Sequence, residues 1–329
     1  EDEAPGGGGG RWRCLRDACS HRAAPLSEGR LATDSSGRTV LQCAYHGWEF
    51  EGCGACTRIP QARPGASTSP AAGVRSLPVR DEQGMIWVFP GPAEAAEDAS
   101  LPTIPELDDP DFVDSTAFFM RDLPYSYEAL CENLLDPSHV PFAHHNIIRG
   151  ADREAAGELP LKIIERGSSE GGGFTAVQDP LRGAAGSEYS IEFAPPCRLV
   201  YRIQGPPPSD AEVKKGKRRS FLGLGTYCVP TRPGHSRLIT RFPFRFPVKF
   251  VQRIIEWTPR WVTHMAQNLV IDSDVVFLSR QDELVRPRGF PGETLLEPVR
   301  RGGREAGAAA ALYHTPTAAD TCVLAFYRW

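Results

Sequence analysis

Two short Cys/His clusters constrain this chain more than any other feature: Cys19-Ser-His21 and Cys43-Ala-Tyr-His46, separated by residues 22–42. Two thiols and two imidazoles can clamp a compact inorganic centre only if turns and short strands bring their loops side by side. Zinc sites usually space their ligands as C-x2-4-C and H-x3-5-H, which fits a C-x-H paired with C-x2-H poorly. A [2Fe-2S] cluster suits the pattern better. One iron takes two thiolates and the other two neutral imidazoles, which raises the potential above that of an all-Cys cluster. The bland alternative, buried cysteines with incidental histidines, suits a lone pair better than two spaced pairs followed by Gly47 and Trp48. Cys53-Gly-Ala-Cys56 reads equally well as a redox pair or as packed thiols, and it is left out of the ligand set.

The rest of the chain must house that centre and a second, larger body. With 329 residues, 41% of them hydrophobic and 24% charged, the chain can bury a sizeable core in two domains or one large one. The 37 basic and 41 acidic residues give a net charge of -4, so no global basic field draws a polyanion and no nucleic-acid partner is expected. Nine cysteines are too few for a disulfide scaffold and suggest a reducing compartment. No run of about 18 apolar residues occurs. Both ends read as cut: Glu1 opens a segment with no signal core or transit character, Gly6 to Gly10 reads as linker, and CVLAFYRW at the other end reads as a strand or the opening of a helix.

Short strand-like runs such as Thr39–Gln42 and Met85–Phe89 among Gly, Cys and Pro predict a small β domain over residues 1–95, lacking its first strands. A linker rich in Pro and acid follows at 96–111, then an α+β domain at 112–329 whose C-terminus is truncated. In the latter, Tyr125 to Leu135 reads as a helix ended by Asp136-Pro137. Strands are expected over Glu188–Phe193, Arg198–Ile203, Phe221–Val229 and Ser236–Phe242. Phe250, Ile254, Trp257 and Trp261 recur at helical spacing and predict a helix from Val248 to Asn268. His264 on that helix reads as a satisfied core residue. The run from Lys214 to Arg219 reads as a solvated loop, with a membrane surface or an acidic electron donor as the less favoured partner.

A second constellation lies at Glu132-Asn133-Leu-Leu-Asp136-Pro-Ser-His139-Val-Pro-Phe-Ala-His144-His145. His139 and His144 can reach one ion if the intervening loop bends, and Pro141 helps it bend; His145 could stand in for His144. An iron that activates dioxygen needs two His and one carboxylate on one octahedral face, with the other positions open. Asp272 and Asp274 are the acids on offer downstream. By itself, Asp136 reads equally well as a cap before Pro137.

Cys19-Ser-His21-Arg-Ala-Ala-Pro25 and Leu41-Gln-Cys43-Ala-Tyr-His46-Gly-Trp48 resemble the Rieske motif of the Rieske non-haem iron oxygenases. The trailing Ile59-Pro-Gln-Ala62 narrows the resemblance to their pheophorbide a oxygenase-like branch. Ala194-Pro-Pro-Cys197, Pro233 to Ile239 and Pro259-Arg-Trp-Val262 extend it over most of the chain, toward the protochlorophyllide-dependent translocon type within the branch. Against the branch, the gap between the clusters is about four residues longer, with the surplus in Ala32 to Gly37, where insertion is cheap. The resemblance implies an all-β Rieske domain and an α+β helix-grip domain with an antiparallel sheet and a long helix. It also implies a cluster on Cys19, His21, Cys43 and His46, and a mononuclear Fe(II) on His139, His144 and Asp274. Asp274 is chosen because family members place the acid seven or eight residues before a Gln or Glu, here Gln281, with Asp272 as fallback. Asn133 and Asp136 match residues beside the iron, the Asp linking the two centres across a subunit boundary of a homotrimer.

The activity so implied is oxygenation of a chlorophyll-type tetrapyrrole (protochlorophyllide, chlorophyllide or pheophorbide a) with O2. Electrons would come from ferredoxin or another separate donor, in a chloroplast envelope or thylakoid setting. Membrane anchoring would come only through segments outside this chain. The competing reading is a non-catalytic Rieske redox component associated with protein import.

Overall fold

The computed structural model describes residues 12–63, 66, 68–114, 118–148, 150–166, 172–178, 186–248, 250, 253, 257–285 and 315–329. The chain divides into two compact units, Glu1–Thr103 and Ile104–Trp329.

The first unit is built from short antiparallel strands joined by turns. β1 (Cys14–Leu15) pairs with β6 (Ser76–Leu77), and β7 (Val79–Glu82) with β8 (Met85–Val88). In sequence between β1 and β6 comes a four-stranded sheet in chain order, β2 (Arg30–Thr33), β3 (Thr39–Gln42), β4 (Glu49–Phe50) and β5 (Cys56–Arg58). Its core is small: Leu26, Phe50, Cys19, Cys43 and Cys56 are buried together. The surplus residues of the inter-cluster gap form the β2–β3 hairpin turn. There Asp34 accepts from the backbone of Ser36 and Arg38 at 2.8 and 2.9 Å. A carboxylate that closes its own turn makes a long connection cheap.

The second unit holds a nine-stranded antiparallel sheet. Its main path runs β10 (Phe119–Leu123), β16 (His235–Arg241), β15 (Phe221–Arg232), β14 (Arg198–Gln204), β13 (Glu188–Ala194), β12 (Phe174–Gln178) and β11 (Leu161–Arg166); β17 (Pro243–Arg245) pairs with β15, and β9 (Val113–Asp114) pairs with β17. Alternation sends one set of side chains to the core: Phe174 and Ala176, Ile191 and Phe193, Leu199, Cys228, Leu238. Helices cover that face. α1 (Tyr127–Leu135) contributes Leu130, Cys131 and Leu135, and α5 (Thr321–Tyr327) contributes Cys322, Val323 and Phe326; between them in sequence come α2 (Val140–Ala143), α3 (Asp210–Lys214) and α4 (Arg260–Val285), the last of which adds Leu278. The C-terminal CVLAFYRW is thus helical. Ser126 caps α1 by accepting from Ala129, and Pro137 ends it.

Two expectations differ from the structure, the bounds of the long helix and the setting of His264. The long helix is α4, starting at Arg260 and continuing to Val285; Ile254 lies outside the described residues. Pro259 sits just before its first turn, where proline is tolerated. The aromatic residues that carried the sequence periodicity are not core residues: Phe250, Trp257 and Trp261 are 69%, 82% and 65% exposed. His264 is likewise exposed, with its ring 5.3 Å from that of Phe119, rather than enclosed in a core. The acid-rich segment at 96–111 is held at both ends. Arg80 donates to the carbonyls of Ala96 and Ala99, while Ile104 is fully buried and Glu106 pairs with Arg202 at 2.5 Å.

A turn at Gly54 fixes the end of the first unit's sheet. Its φ is +90°, and a Cβ there would lie 2.1 Å from the Val74 carbonyl oxygen. Gly54→Ala should therefore destabilise this unit by about 2 kcal/mol or more, combining left-handed strain with a backbone clash. Thermal unfolding followed by circular dichroism checks this; a loss under about 0.5 kcal/mol, the scatter of neutral surface changes, would contradict it.

Candidate metal centres

In the first unit the two Cys/His loops are tight turns closed by the backbone. Cys19 N–H donates to Ala24 and Ala23 N–H to Cys19; Cys43 N–H donates to Trp48 and Gly47 N–H to Cys43. Gly47 takes a φ of +72°, which lets the second loop turn back immediately after His46. Cys19 and Cys43 are 4% and 2% exposed, with the histidines toward the outside. The His21 and His46 ring centroids lie 4.6 Å apart, and Trp48 stacks on His21 at 4.7 Å with an angle of 5°. Burial and then His46 hold the His21 imidazole below its ordinary value, so the ring is a neutral donor at physiological pH. His21 Nδ1 is buried without a hydrogen-bond partner among the described residues. An orphaned imidazole nitrogen beside two buried thiols is what a cluster would satisfy. The Ile59 to Ala62 segment has a local job as well: Gln61 donates to the His46 carbonyl at 2.9 Å.

The second unit gathers His139, His144 and Asp274, whose donor atoms all lie within 4.8 Å of one another. His139 ends a 3-10 turn that follows α1, His144 caps α2, and Asp274 comes from α4. The Nε2 atoms of the two imidazoles are 3.3 Å apart. Asp274 carboxylate oxygens stand 3.8 Å from His139 Nε2 and 3.5 Å from His144 Nε2. His139 Nδ1 donates to the Asp136 carbonyl, an acceptor that can only receive a proton, so its Nε2 presents a lone pair. His144 is 3% and Asp274 5% exposed.

Electrostatics point the same way. Burial, then His139, push His144 down to about 4, so it is neutral at physiological pH. Burial pushes the Asp274 carboxyl up to about 6, opposed by His139 and by a hydrogen bond from Asn133. A carboxylate buried beside two imidazoles is costly unless a cation joins them. Two imidazoles, one carboxylate and open positions are the donor set of mononuclear ferrous sites.

The neighbouring residues sort themselves. His145 turns away, accepting from Arg153 N–H at 3.2 Å and facing Asp152. Asp272 is tied to Arg121 of β10 at 2.5 Å. Asp136 caps the turn, its Oδ1 accepting from Ser138 N–H at 2.9 Å. Asp136 therefore acts as a cap and also supports His139, the latter through its backbone. Gln281 donates to Glu132 at 3.3 Å, tying α4 to α1. The basic run is largely neutralised: Lys217 pairs with Glu212, Arg218 with Asp111 and Arg219 with Glu188.

Two protein families match parts of the chain. Residues 4–78 match the Rieske [2Fe-2S] domain family, and residues 193–290 match the pheophorbide a oxygenase family. The chain belongs to the Rieske-type oxygenases of the pheophorbide a oxygenase branch.

Within this branch it is 35% identical to flavonoid 8-hydroxylase 2 of Ocimum basilicum, over 97% of this chain and 57% of that protein. It is also 35% identical to pheophorbide a oxygenase of Arabidopsis thaliana (97% and 56%) and to the Arabidopsis protochlorophyllide-dependent translocon component 52 (85% and 54%). The chain thus spans little more than half the length of these relatives, and identity does not single out one subgroup. Among solved structures, NdmB of Pseudomonas putida CBB5 shares the fold with a TM-score of 0.67 at 21% identity, over 96% of this chain and 77% of that one. Members of the family carry a [2Fe-2S] cluster and a mononuclear iron.

Sequence reasoning missed Ser273, whose hydroxyl lies 2.9 Å from His144 Nδ1; a lone serine between two acids carries no motif. Titrating the iron-depleted mononuclear site with Co(II) discriminates between neighbours. His144→Gln and Asp274→Asn should abolish tight binding, while His145→Gln and Asp272→Asn should leave it within about threefold, below the usual loss for an oriented ligand partner. Binding should also weaken as pH falls through about 6, where the Asp274 carboxyl takes a proton that the ion must displace. Equal losses in both members of either pair would contradict this assignment.

Proposed function

We propose that this chain is the oxygenating part of an enzyme that inserts oxygen from O2 into a chlorophyll-type tetrapyrrole: protochlorophyllide, chlorophyllide or pheophorbide a. Cys19, His21, Cys43 and His46 would hold a [2Fe-2S] cluster, and His139, His144 and Asp274 a ferrous ion. When bound, these groups supply electron storage and dioxygen activation. One oxygen atom enters the substrate and the other leaves as water, so electrons and protons must come from outside. A separate donor, most simply reduced ferredoxin, fits this requirement.

The observation that carries the reading is the trio itself, His144 and Asp274 buried and His139 partly so, converging from separate elements. The chain's own residues perform the rest of the work. Asn133 holds the carboxylate by a side-chain hydrogen bond. The Asp136 carbonyl fixes the His139 ring, leaving Oδ2 of its carboxylate to accept from a cluster histidine of a second copy in a homotrimer. Relatives named as chloroplastic support a chloroplast setting. Among the described residues no helix is long and apolar enough to cross a membrane.

A flavonoid substrate is the second reading, favoured by the basil hydroxylase at the same 35% identity. Incubating the metal-loaded protein with reduced ferredoxin, isotopically labelled O2, the three tetrapyrroles and a flavone separates them. Label should enter a tetrapyrrole, and His139→Ala should stop this while leaving the cluster spectrum intact. Label in the flavone alone would overturn the substrate, and no label in any product would favour an electron-carrying component without turnover.

A further inference from the structure

Ser273 stands between Asp272 and Asp274 on α4, one residue before a proposed iron ligand. Its Oγ lies 2.6 Å from the Val270 carbonyl oxygen and 2.9 Å from His144 Nδ1. A carbonyl oxygen only accepts, and a serine hydroxyl has a single proton to give. At 2.6 Å that proton must lie toward Val270, because two bare oxygen atoms so close would repel. The hydroxyl oxygen then faces His144 as an acceptor, so Nδ1 carries the hydrogen and Nε2 the lone pair. His144 Nε2, bearing its lone pair, stands 3.3 Å from His139 Nε2.

We propose that Ser273 is a positioning residue that locks His144 in its Nδ1–H tautomer and fixes the plane of its ring, so that the nitrogen donor is aimed before the ion arrives. The inference rests on the reading that His139, His144 and Asp274 bind iron. It goes further by assigning the orienting role to one side chain. His139 receives the same service from a backbone carbonyl, which no substitution removes. His144 depends on a hydroxyl, which one can. A hydroxyl also orients the ring without adding charge, so Asp274 remains the single anion of the trio. Three successive residues of one helical turn thus fan out to three tasks: Asp272 to Arg121, Ser273 to His144 and Asp274 to the ion.

The test uses the full chain with its cluster loaded and Co(II) as the probe of the second site. Ser273→Ala should weaken Co(II) binding ~10–100-fold, the usual cost of losing an orienting partner, with the cluster absorption and thermal midpoint unchanged. Ser273→Thr keeps the hydroxyl and should bind within about threefold of the parent protein. Unchanged binding in Ser273→Ala, or an equal loss in Ser273→Thr, would overturn the proposal. If Ser273→Ala fails to fold, nitrogen-15 NMR of the histidine rings in the unaltered, Co(II)-free protein decides the matter. The proposal requires His144 to be protonated on Nδ1, and a proton on Nε2 overturns it. His144→Gln separates the two levels of inference: if it too leaves Co(II) binding intact, the iron-site reading itself fails, whatever Ser273 does.

Discussion

Two imidazole lone pairs facing one another across 3.3 Å, beside a buried carboxylate, form the constraint around which the second unit is organised. Without a cation this arrangement is unfavourable: two neutral rings would turn lone pairs toward each other, and the carboxylate has been taken out of water. Burial pushes the carboxyl up to about 6, because the charged form has lost water, a loss that a nearby positive charge would offset. The fold maintains the arrangement by spending other interactions on it, as functional sites commonly require.

Those interactions are spread over separate elements. α1 stops at Pro137, and the turn that follows swings His139 back so that its Nδ1 meets the Asp136 carbonyl. α4 is tied to β10 through Arg121 and to α1 through Gln281 and Glu132, which sets the height of Asp274. Tyr201 donates to the Leu134 carbonyl at 2.5 Å and Ser236 to that of Tyr125 at 2.9 Å, pinning α1 to the sheet at both ends. A short helix would be marginal alone; here its packed face and these two bonds hold it in place.

Legibility in the sequence followed the range of the interaction. The Cys/His loops and the N-x2-D-x2-H-x4-H run were readable because their ligands lie within a few residues of one another, so chemistry dictates residue types at fixed spacing. The strands Glu188–Phe193 and Arg198–Ile203 were readable for a similar reason, a local alternation of buried positions. β10 and β11 were not, since FMRDL and LKIIER mix charge into short runs. The choices of His144 over His145 and Asp274 over Asp272 depend on Arg153, Asp152 and Arg121, none of which the local pattern reveals. Ser273 lies 129 residues from the histidine it touches. Trp257 and Trp261 misled in the opposite sense, because helical spacing records a face without saying what covers it.

The proposed function comes down to one chemical claim: the cluster loops of the first unit would store electrons that the trio of the second unit would use. Iron content of the pure, reconstituted chain tests it most directly, read together with electron paramagnetic resonance of the reduced protein. About three irons per chain, two in a cluster with mixed thiolate and imidazole ligation and one mononuclear, is the expected result. About two irons with an intact cluster signal would mean that His139, His144 and Asp274 hold none, and the account of oxygen chemistry would be wrong.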